Sequence, residues 1–299
     1  MPLLPSHFVF MRSQSLVKGL ALLSISALLF STMGVLIRLA SHSVDNTTIV
    51  FMRNLTGTLL LLPFALLQGA SFFKTDKFYM HAWRAIVGLI AMYGFFYAIA
   101  HLPLSNAMVF TYSSPVFIPL VAWLFLKERI SGWMLLAAGI GLLGVMLVSK
   151  PNEGLFNWLS LVGLSSSFLA AMAFVTVRAL TQTEPATRIV FYFCLISTVI
   201  SAIPMYWSWR LLSLHELGYV IGAGTLATLS QVCLSKAYGY APAGKIGPAN
   251  YLAIIFAGLW AWLLWDERPD RLAIIGMMLI FIALLLCLPR EKAAPTPLD

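Results

Sequence analysis

The sequence predicts an all-α integral membrane protein of ten transmembrane helices, arranged as two inverted five-helix repeats. Three observations carry this: an apolar composition, ten apolar runs of spanning length, and a phrase that the chain writes twice. Of its 299 residues 60% are hydrophobic and only 10% are charged, against about 25% charged in an average soluble domain. So few charges cannot clothe the two soluble domains that the length alone would allow. The solvent is therefore largely lipid.

A helix that crosses about 30 Å of hydrocarbon needs about 20 mainly apolar residues. Such runs fall at 16–40, 48–68, 80–100, 104–126 and 132–149, and again at 157–180, 188–209, 217–238, 245–265 and 271–288. Arg12 and Lys18 precede the first run as the basic residues of a signal peptide would. That run continues to Ala40 without a small-x-small site at its end, so it reads as a retained first helix. The connections are short and carry breakers, as in HLPLSN (101–106), KPNEG (150–154) and TQTEPAT (181–187). The expected organisation is a cytoplasmic N-terminal segment 1–15, a first repeat 16–149, a linker 150–156, a second repeat 157–288, and a polar, proline-rich, disordered cytoplasmic tail 289–299.

LVAWLFLKERIS (120–131) returns as LWAWLLWDERPD (259–270), with Ala-Trp-Leu and Glu-Arg in register. At the same offset Tyr112 matches Tyr251, Pro103 matches Pro242 and Ala98 matches Ala237. One residue further out of step, Ile49-Val50-Phe51 recurs as Ile189-Val190-Phe191 and Arg38 as Arg178. An odd number of spans per repeat makes the second copy enter from the opposite side. Inverted repeats place a substrate site near the midplane, at their interface. With both termini cytoplasmic, most cations, Arg84 among them, fall inside or at inner helix ends. Arg38, Lys150, Arg210, Arg268 and Arg271 fall outside, which satisfies the positive-inside rule.

Composition also excludes. The three cysteines, Cys194, Cys233 and Cys287, sit inside apolar runs and offer no disulfide framework or metal motif. The formal charge of +8 is scattered, without the basic stripe of a nucleic-acid binder. No cofactor or metal is called for, and the expected partners are a small-molecule substrate and membrane lipid, the chain being monomer or homodimer. An intramembrane zinc protease needs HExxH, but His215-Glu216 leads to Tyr219 where the second histidine belongs. No enzyme is read. A channel would need a filter or a charged ring, and neither is written; a lone sensor has no use for a repeat.

A buried ionisable side chain at the bilayer centre is usually functional. All eleven acids and the five histidines fall in loops, tails or helix ends. No proton relay is legible, which favours facilitated or exchange transport over a proton-coupled exporter. Arg53 lies about 7 Å inside the second span at 1.5 Å per residue. Two readings stand: it bonds helix-end carbonyls or Asp45, or it holds a substrate carboxylate. In TYSSPVFIP (111–119), Pro115 frees carbonyls of the preceding turn near mid-membrane. Tyr112, Pro115 and Pro119 share a face, with Ser113 beside them; Asn250 and Tyr251 hold the equivalent depth in the second half. With Tyr93, Tyr97 and Gln231 they form the candidate cavity lining, in which rings stack on flat groups and amides and hydroxyls orient them. Each tyrosine has the alternative role of bracing helices. Glu128-Arg129 and Glu267-Arg268 read as helix termination and interface anchoring.

Each half carries an arginine late in the first helix, an Ala-x-x-x-x-Pro turn (98–103, 237–242) and a helix ending in Glu. In these the sequence resembles the EamA branch of the drug/metabolite transporter superfamily over 16–288. It departs from the common pattern at Phe30, where many members carry tryptophan. The resemblance implies a ten-helix permease, and the short tails and loops favour a bacterial inner membrane. Its members move amphipathic metabolites such as amino acids, nucleoside-type compounds or S-adenosylmethionine by alternating access.

Overall fold

The computed structural model describes residues 15–101, 112–149, 158–266 and 268–286, and among these every regular element is helical. The main helices are α1 (Leu16–Ala40), α2 (Asn46–Leu67), α3 (Phe78–His101), α4 (Ser114–Leu126), α5 (Gly132–Ser149), α6 (Trp158–Leu180), α7 (Ala186–Met205), α8 (Leu214–Tyr240), α9 (Leu252–Trp265) and α10 (Arg271–Leu286). Six segments are long and apolar enough to cross a membrane: Leu16–Ala40, Asn46–Leu67, Leu161–Leu180, Ala186–Met205, Leu214–Tyr240 and Ala243–Trp265. Leu59, Leu124, Val199 and Leu263 stand largely exposed on the outside of the bundle, the surface expected where the solvent is lipid.

Local chemistry sets the boundaries. Ser15 accepts the Lys18 amide at 3.3 Å and opens α1, and Asp45 accepts the Thr47 amide at 2.9 Å and opens α2. Ser213 and Glu216 form a reciprocal capping box. It starts α8 at Leu214, earlier than apolar periodicity alone expects. α7 ends at Met205 rather than 209, because Tyr206 and Trp207 turn out of the helix.

Two expectations for the fourth span of each half change. Pro115 lies in the first turn of α4, after the turn residues Tyr112 and Ser113. There a missing N–H removes no helical bond, so Pro115 frees no mid-helix carbonyl; residues 104–111 of that span lie outside the described residues. Its counterpart is not one helix from 245 but a short turn Ala243–Ile246, a 3-10 stretch Gly247–Tyr251 carrying Pro248, and then α9. The repeated phrase is repeated in backbone as well. Lys127 (φ 54°) and Asp266 (φ 52°) are the non-glycine residues with left-handed backbone among those described. They end α4 and α9 alike, through Lys127 N–H to the Trp123 carbonyl at 3.0 Å and Asp266 N–H to the Trp262 carbonyl at 3.1 Å.

The helix contacts follow the repeat. α1 packs on α8, and its counterpart α6 packs on α3; α1 meets α9, and α6 meets α4. α8 touches α2 just as α3 touches α7, while α2–α7 and α5–α10 each join a helix to its own counterpart. Exchanging the halves leaves these pairings unchanged, whereas the α7–α8 contact has no counterpart of like extent between α2 and α3. The main core fills the crossing of α1, α4, α6 and α8 with Leu23, Ile118, Val177, Tyr238 and Ile246.

Candidate functional site

Between α2, α7 and α8 lies a narrow cleft lined by Arg53, Asn54, Phe193, Cys194, Ala227, Thr228 and Gln231, with about 170 Å³ of space between atoms, its mouth included. Small residues let the three helices approach. A Cβ on Gly57 would meet Thr228 Oγ1 at 2.6 Å and Cys194 Sγ at 2.7 Å, so α2 comes this close to α7 and α8 because Gly57 has none. Asn54 turns its amide onto its own helix, Nδ2 donating to the Val50 carbonyl at 2.9 Å. Thr228 does the same to Gly224 at 2.8 Å.

Two arginines dominate the site. Arg53 is 8% exposed and Arg84, from α3, is 3% exposed. Arg84 Nη2 donates to Gln231 Oε1 at 2.7 Å, and its guanidinium carbon lies 3.5 Å from the centre of the Phe193 ring, a cation–π contact. Gly88, one turn along α3, makes this possible: a Cβ there would meet Phe193 at 3.3 Å. Arg53 Nη1 reaches only Met92 Sδ, at 3.0 Å, a weak acceptor. The Nε of both arginines and Nη1 of Arg84 have no hydrogen-bond partner. The ion pairs among the described residues join Arg178 to Glu128, Arg188 to Glu184, Arg210 to Glu216 and Arg268 to Asp266; neither cleft arginine takes part.

Of the residues expected to line a cavity, the cleft gathers Arg53 and Gln231. Tyr93 points a buried hydroxyl into a place without a partner, and Tyr97 is exposed. Tyr112, half-buried, packs with Phe30 and Leu252 on one side and Tyr251 on the other. Tyr251 is fully buried and donates to the Ala138 carbonyl at 2.9 Å; its ring lies where a side chain on Gly141 would stand. Asn250 donates to the Tyr238 hydroxyl at 3.2 Å, and Ser113 and Pro115 are buried. None of these lines the cleft. Sequence reasoning missed Arg84, which it counted among cations at inner helix ends. α3 begins at Phe78, so Arg84 stands about 9 Å along its axis, and there it is buried in the bundle, not free at a helix end.

Two further expectations are corrected. Acids and histidines at helix ends need not be unburied: Glu184 and His81 are both buried, His81 at 1% exposure. The chain after α2 folds over the start of α7 and covers them. There Thr75 Oγ1 donates to Glu184 Oε1 at 2.6 Å, Arg188 Nη1 to Glu184 Oε2 at 2.5 Å, and Arg188 Nη2 to the Ser71 carbonyl at 2.9 Å. The His81 ring lies 4.7 Å from that of Tyr192, and neither imidazole nitrogen is bonded. Glu128 is more than an interface anchor, because Arg178 Nε donates to it at 3.1 Å while Arg178 Nη1 donates to the Tyr238 carbonyl at 2.7 Å. At the opposite end of the bundle Arg210 Nη2 donates to the Ser43 carbonyl at 2.5 Å and to Glu216 Oε1 at 2.5 Å. The bond to Glu216 raises the Arg210 pKa above its ordinary value.

The EamA-like transporter family matches residues 17–150 and again 157–288. The chain belongs to this family. Among curated relatives, the pseudopaline exporter CntI of Pseudomonas aeruginosa is 34% identical over 271 residues, 89% of this chain and 94% of the relative. An S-adenosylmethionine uptake transporter of Rickettsia bellii is 25% identical over 253 residues, 85% and 86% of the two chains. A crystal structure at 17% identity superposes with a TM-score of 0.78 over 90% of this chain and 96% of its own, and shows the shared fold. This EamA protein is a multi-pass membrane transporter of metabolites and not an enzyme.

Proposed function

We propose that this transporter carries a small amphipathic metabolite, of the amino-acid, nucleoside or S-adenosylmethionine type, by alternating access between two inverted five-helix halves. The observation that carries the reading is the helix pairing, whose main contacts, α7–α8 apart, are unchanged when the halves are exchanged. Inverted halves let one rocking motion open one side and close the other. The bonds at the two ends follow the same logic: Arg210 to Ser43 ties the turns after α1 and α7 together, and Thr75 to Glu184 ties those after α2 and α6. With both ties made the cleft has no room even for a water molecule, against the about 300–1,000 Å³ typical of ligand sites. A metabolite therefore enters when one tie opens. In this reading Arg53 and Gln231 meet the substrate in the cleft, and rocking brings Tyr93, Tyr97, Tyr112, Ser113, Pro115, Asn250 and Tyr251 to its path.

The relatives' names place one in export and another in uptake, so direction follows the gradient in a facilitated or exchange mechanism. A second reading, a proton-coupled exporter, is favoured by buried His81 and Glu184. Proteoliposome counterflow decides between them. Saturable exchange of a panel of amino acids, nucleosides and S-adenosylmethionine that persists when a proton gradient is collapsed supports exchange, and strict dependence on the gradient supports coupling through His81 or Glu184. Flux with neither saturation nor counterflow would replace the carrier by a channel. We further propose that both termini are cytoplasmic in a bacterial inner membrane. Cysteines at Ser43 and Asp270 should then label from outside and those at Lys74 and Gln182 should not; external labelling at Lys74 overturns the inversion.

A further inference from the structure

The geometry points to an anion subsite in the cleft, where Arg53 and Arg84 together hold a carboxylate of the carried metabolite. An arginine stays protonated at any physiological pH, and a guanidinium removed from water needs a counter-charge or a full set of acceptors. Neither arginine has them. Each presents five N–H donors; among the described residues Arg84 satisfies one on Gln231 and Arg53 one on a thioether sulfur. Arg53 lines the cleft, and Arg84 stands behind its wall on Gln231 and Phe193; no acid among the described residues pairs with either. Two like charges facing one dry gap repel, and an anion between them cancels the repulsion and fills the empty donors at once. A carboxylate is the species that matches a planar fork with two parallel bonds. Asn54, Thr228 and Gln231 add polar groups beside it, and Phe193 holds the Arg84 plane from behind.

The subsite deepens the carrier reading and rests on it for transport, but its binding is tested apart. In the counterflow panel each acid exchanged by the wild type is paired with its carboxamide. The subsite requires the amide to lose at least tenfold in exchange, and Arg84→Gln and Arg84→Lys to remove the preference for the acid. An amide exchanged as well as its acid overturns the subsite and leaves the carrier standing. If no panel compound is exchanged, thermal melts of the purified full-length protein decide. Citrate at constant ionic strength, against sodium chloride, should raise the wild-type Tm and leave Arg84→Met unmoved. Without ligand, Arg84→Met should melt at or above the wild-type Tm, because it removes a buried charge that no acid among the described residues neutralises. A lower ligand-free Tm for Arg84→Met, or an equal citrate shift in both proteins, makes the arginine a structural brace and overturns the proposal.

Discussion

Gly144→Ala should destabilise the protein by about 1–2 kcal/mol, whereas Gly139→Ala on the same helix should not. α5 and α10 meet backbone to backbone. A Cβ on Gly144 would lie 2.6 Å from the Gly276 carbonyl oxygen and 3.1 Å from the Ile280 nitrogen, and one on Gly276 would lie 2.6 Å from the Gly144 carbonyl oxygen. Neither neighbour is the end of a flexible side chain. To reach the 3.4 Å of ordinary contact the helices must part by about 0.8 Å, the difference between 3.4 and 2.6 Å. A gap of that size forfeits about a quarter to a half of each dispersion contact along the seam, and overpacking of this kind costs about 1–3 kcal/mol. The gain in helix propensity from glycine to alanine, at most about 1 kcal/mol, offsets part of it. Gly139 has nothing within 4 Å of its Cβ position, so only the propensity gain remains there. Thermal melts or denaturant unfolding of the three purified proteins read the difference, and Gly276→Ala added to Gly144→Ala should cost less than its single effect, since both open one seam. Equal melting of Gly139→Ala and Gly144→Ala would refute the close approach of α5 and α10.

Asp45→Ala should cost about 1 kcal/mol by removing the cap of α2. Partial burial works to raise the Asp45 pKa, but hydrogen bonds from Thr47 outweigh it and carry it below the ordinary 3.8, so its contribution is full above pH 3.8 and is lost as pH falls through the lower folded value; melts of wild type and variant should converge in acid. Glu128→Gln should destabilise by about 3 kcal/mol, because it leaves Arg178 buried without its counter-charge, while Arg129→Gln on the exposed neighbour should stay within about 0.5 kcal/mol. Tyr112→Ala should weaken exchange, with Tyr112→Phe milder, when rates are normalised to folded protein; two normal rates return the residue to packing alone. The Thr58 and Thr198 hydroxyls lie 3.3 Å apart across α2 and α7. A Thr58→Cys/Thr198→Cys disulfide in a background free of other cysteines should arrest counterflow, and reductant should restore it; undiminished flux in the oxidised protein would show that this seam does not move.

What the chain discloses depends on whether a property is local or tertiary. α1 was legible to the residue, since an unbroken apolar run and its polar ends are both local. The doubled phrase announced paired helix ends, and the left-handed Lys127 and Asp266 stand at matching positions. Pro115 was misread because proline counts differently in a first turn than in a helix interior, and only the backbone tells which applies. Arg84 was hidden by its position: near the start of an apolar run an arginine reads as an interface anchor unless the start of the helix is known. Glu184 and His81 are buried by a loop folded from elsewhere, and hydropathy carries no record of that. The partners of Tyr251, an α5 carbonyl and a glycine that leaves room for its ring, lie more than a hundred residues away.

The two helix pairs that join a helix to its own counterpart both use glycine but differ in what else closes the seam, and the difference bears on which of them moves. α5 and α10 touch through glycine backbones, with Val145 and Ile280 closing the seam. Such a contact has no alternative register at similar energy, because any slide drives a side chain into a carbonyl. α2 and α7 come close at Gly57 and Cys194 too, but they also meet through the hydroxyls of Thr58 and Thr198, near two arginines with unpartnered N–H groups. Hydroxyls exchange partners along a helix at little cost, since each also reaches a carbonyl of its own chain, as Thr58 does to Asn54 and Thr198 to Cys194. Repulsion between the arginines works against closing that seam until an anion arrives. In the proposed carrier, α5 and α10 belong to the frame and α2 and α7 to the part that shears, and the proposed anion subsite couples that shear to the charge of what is bound.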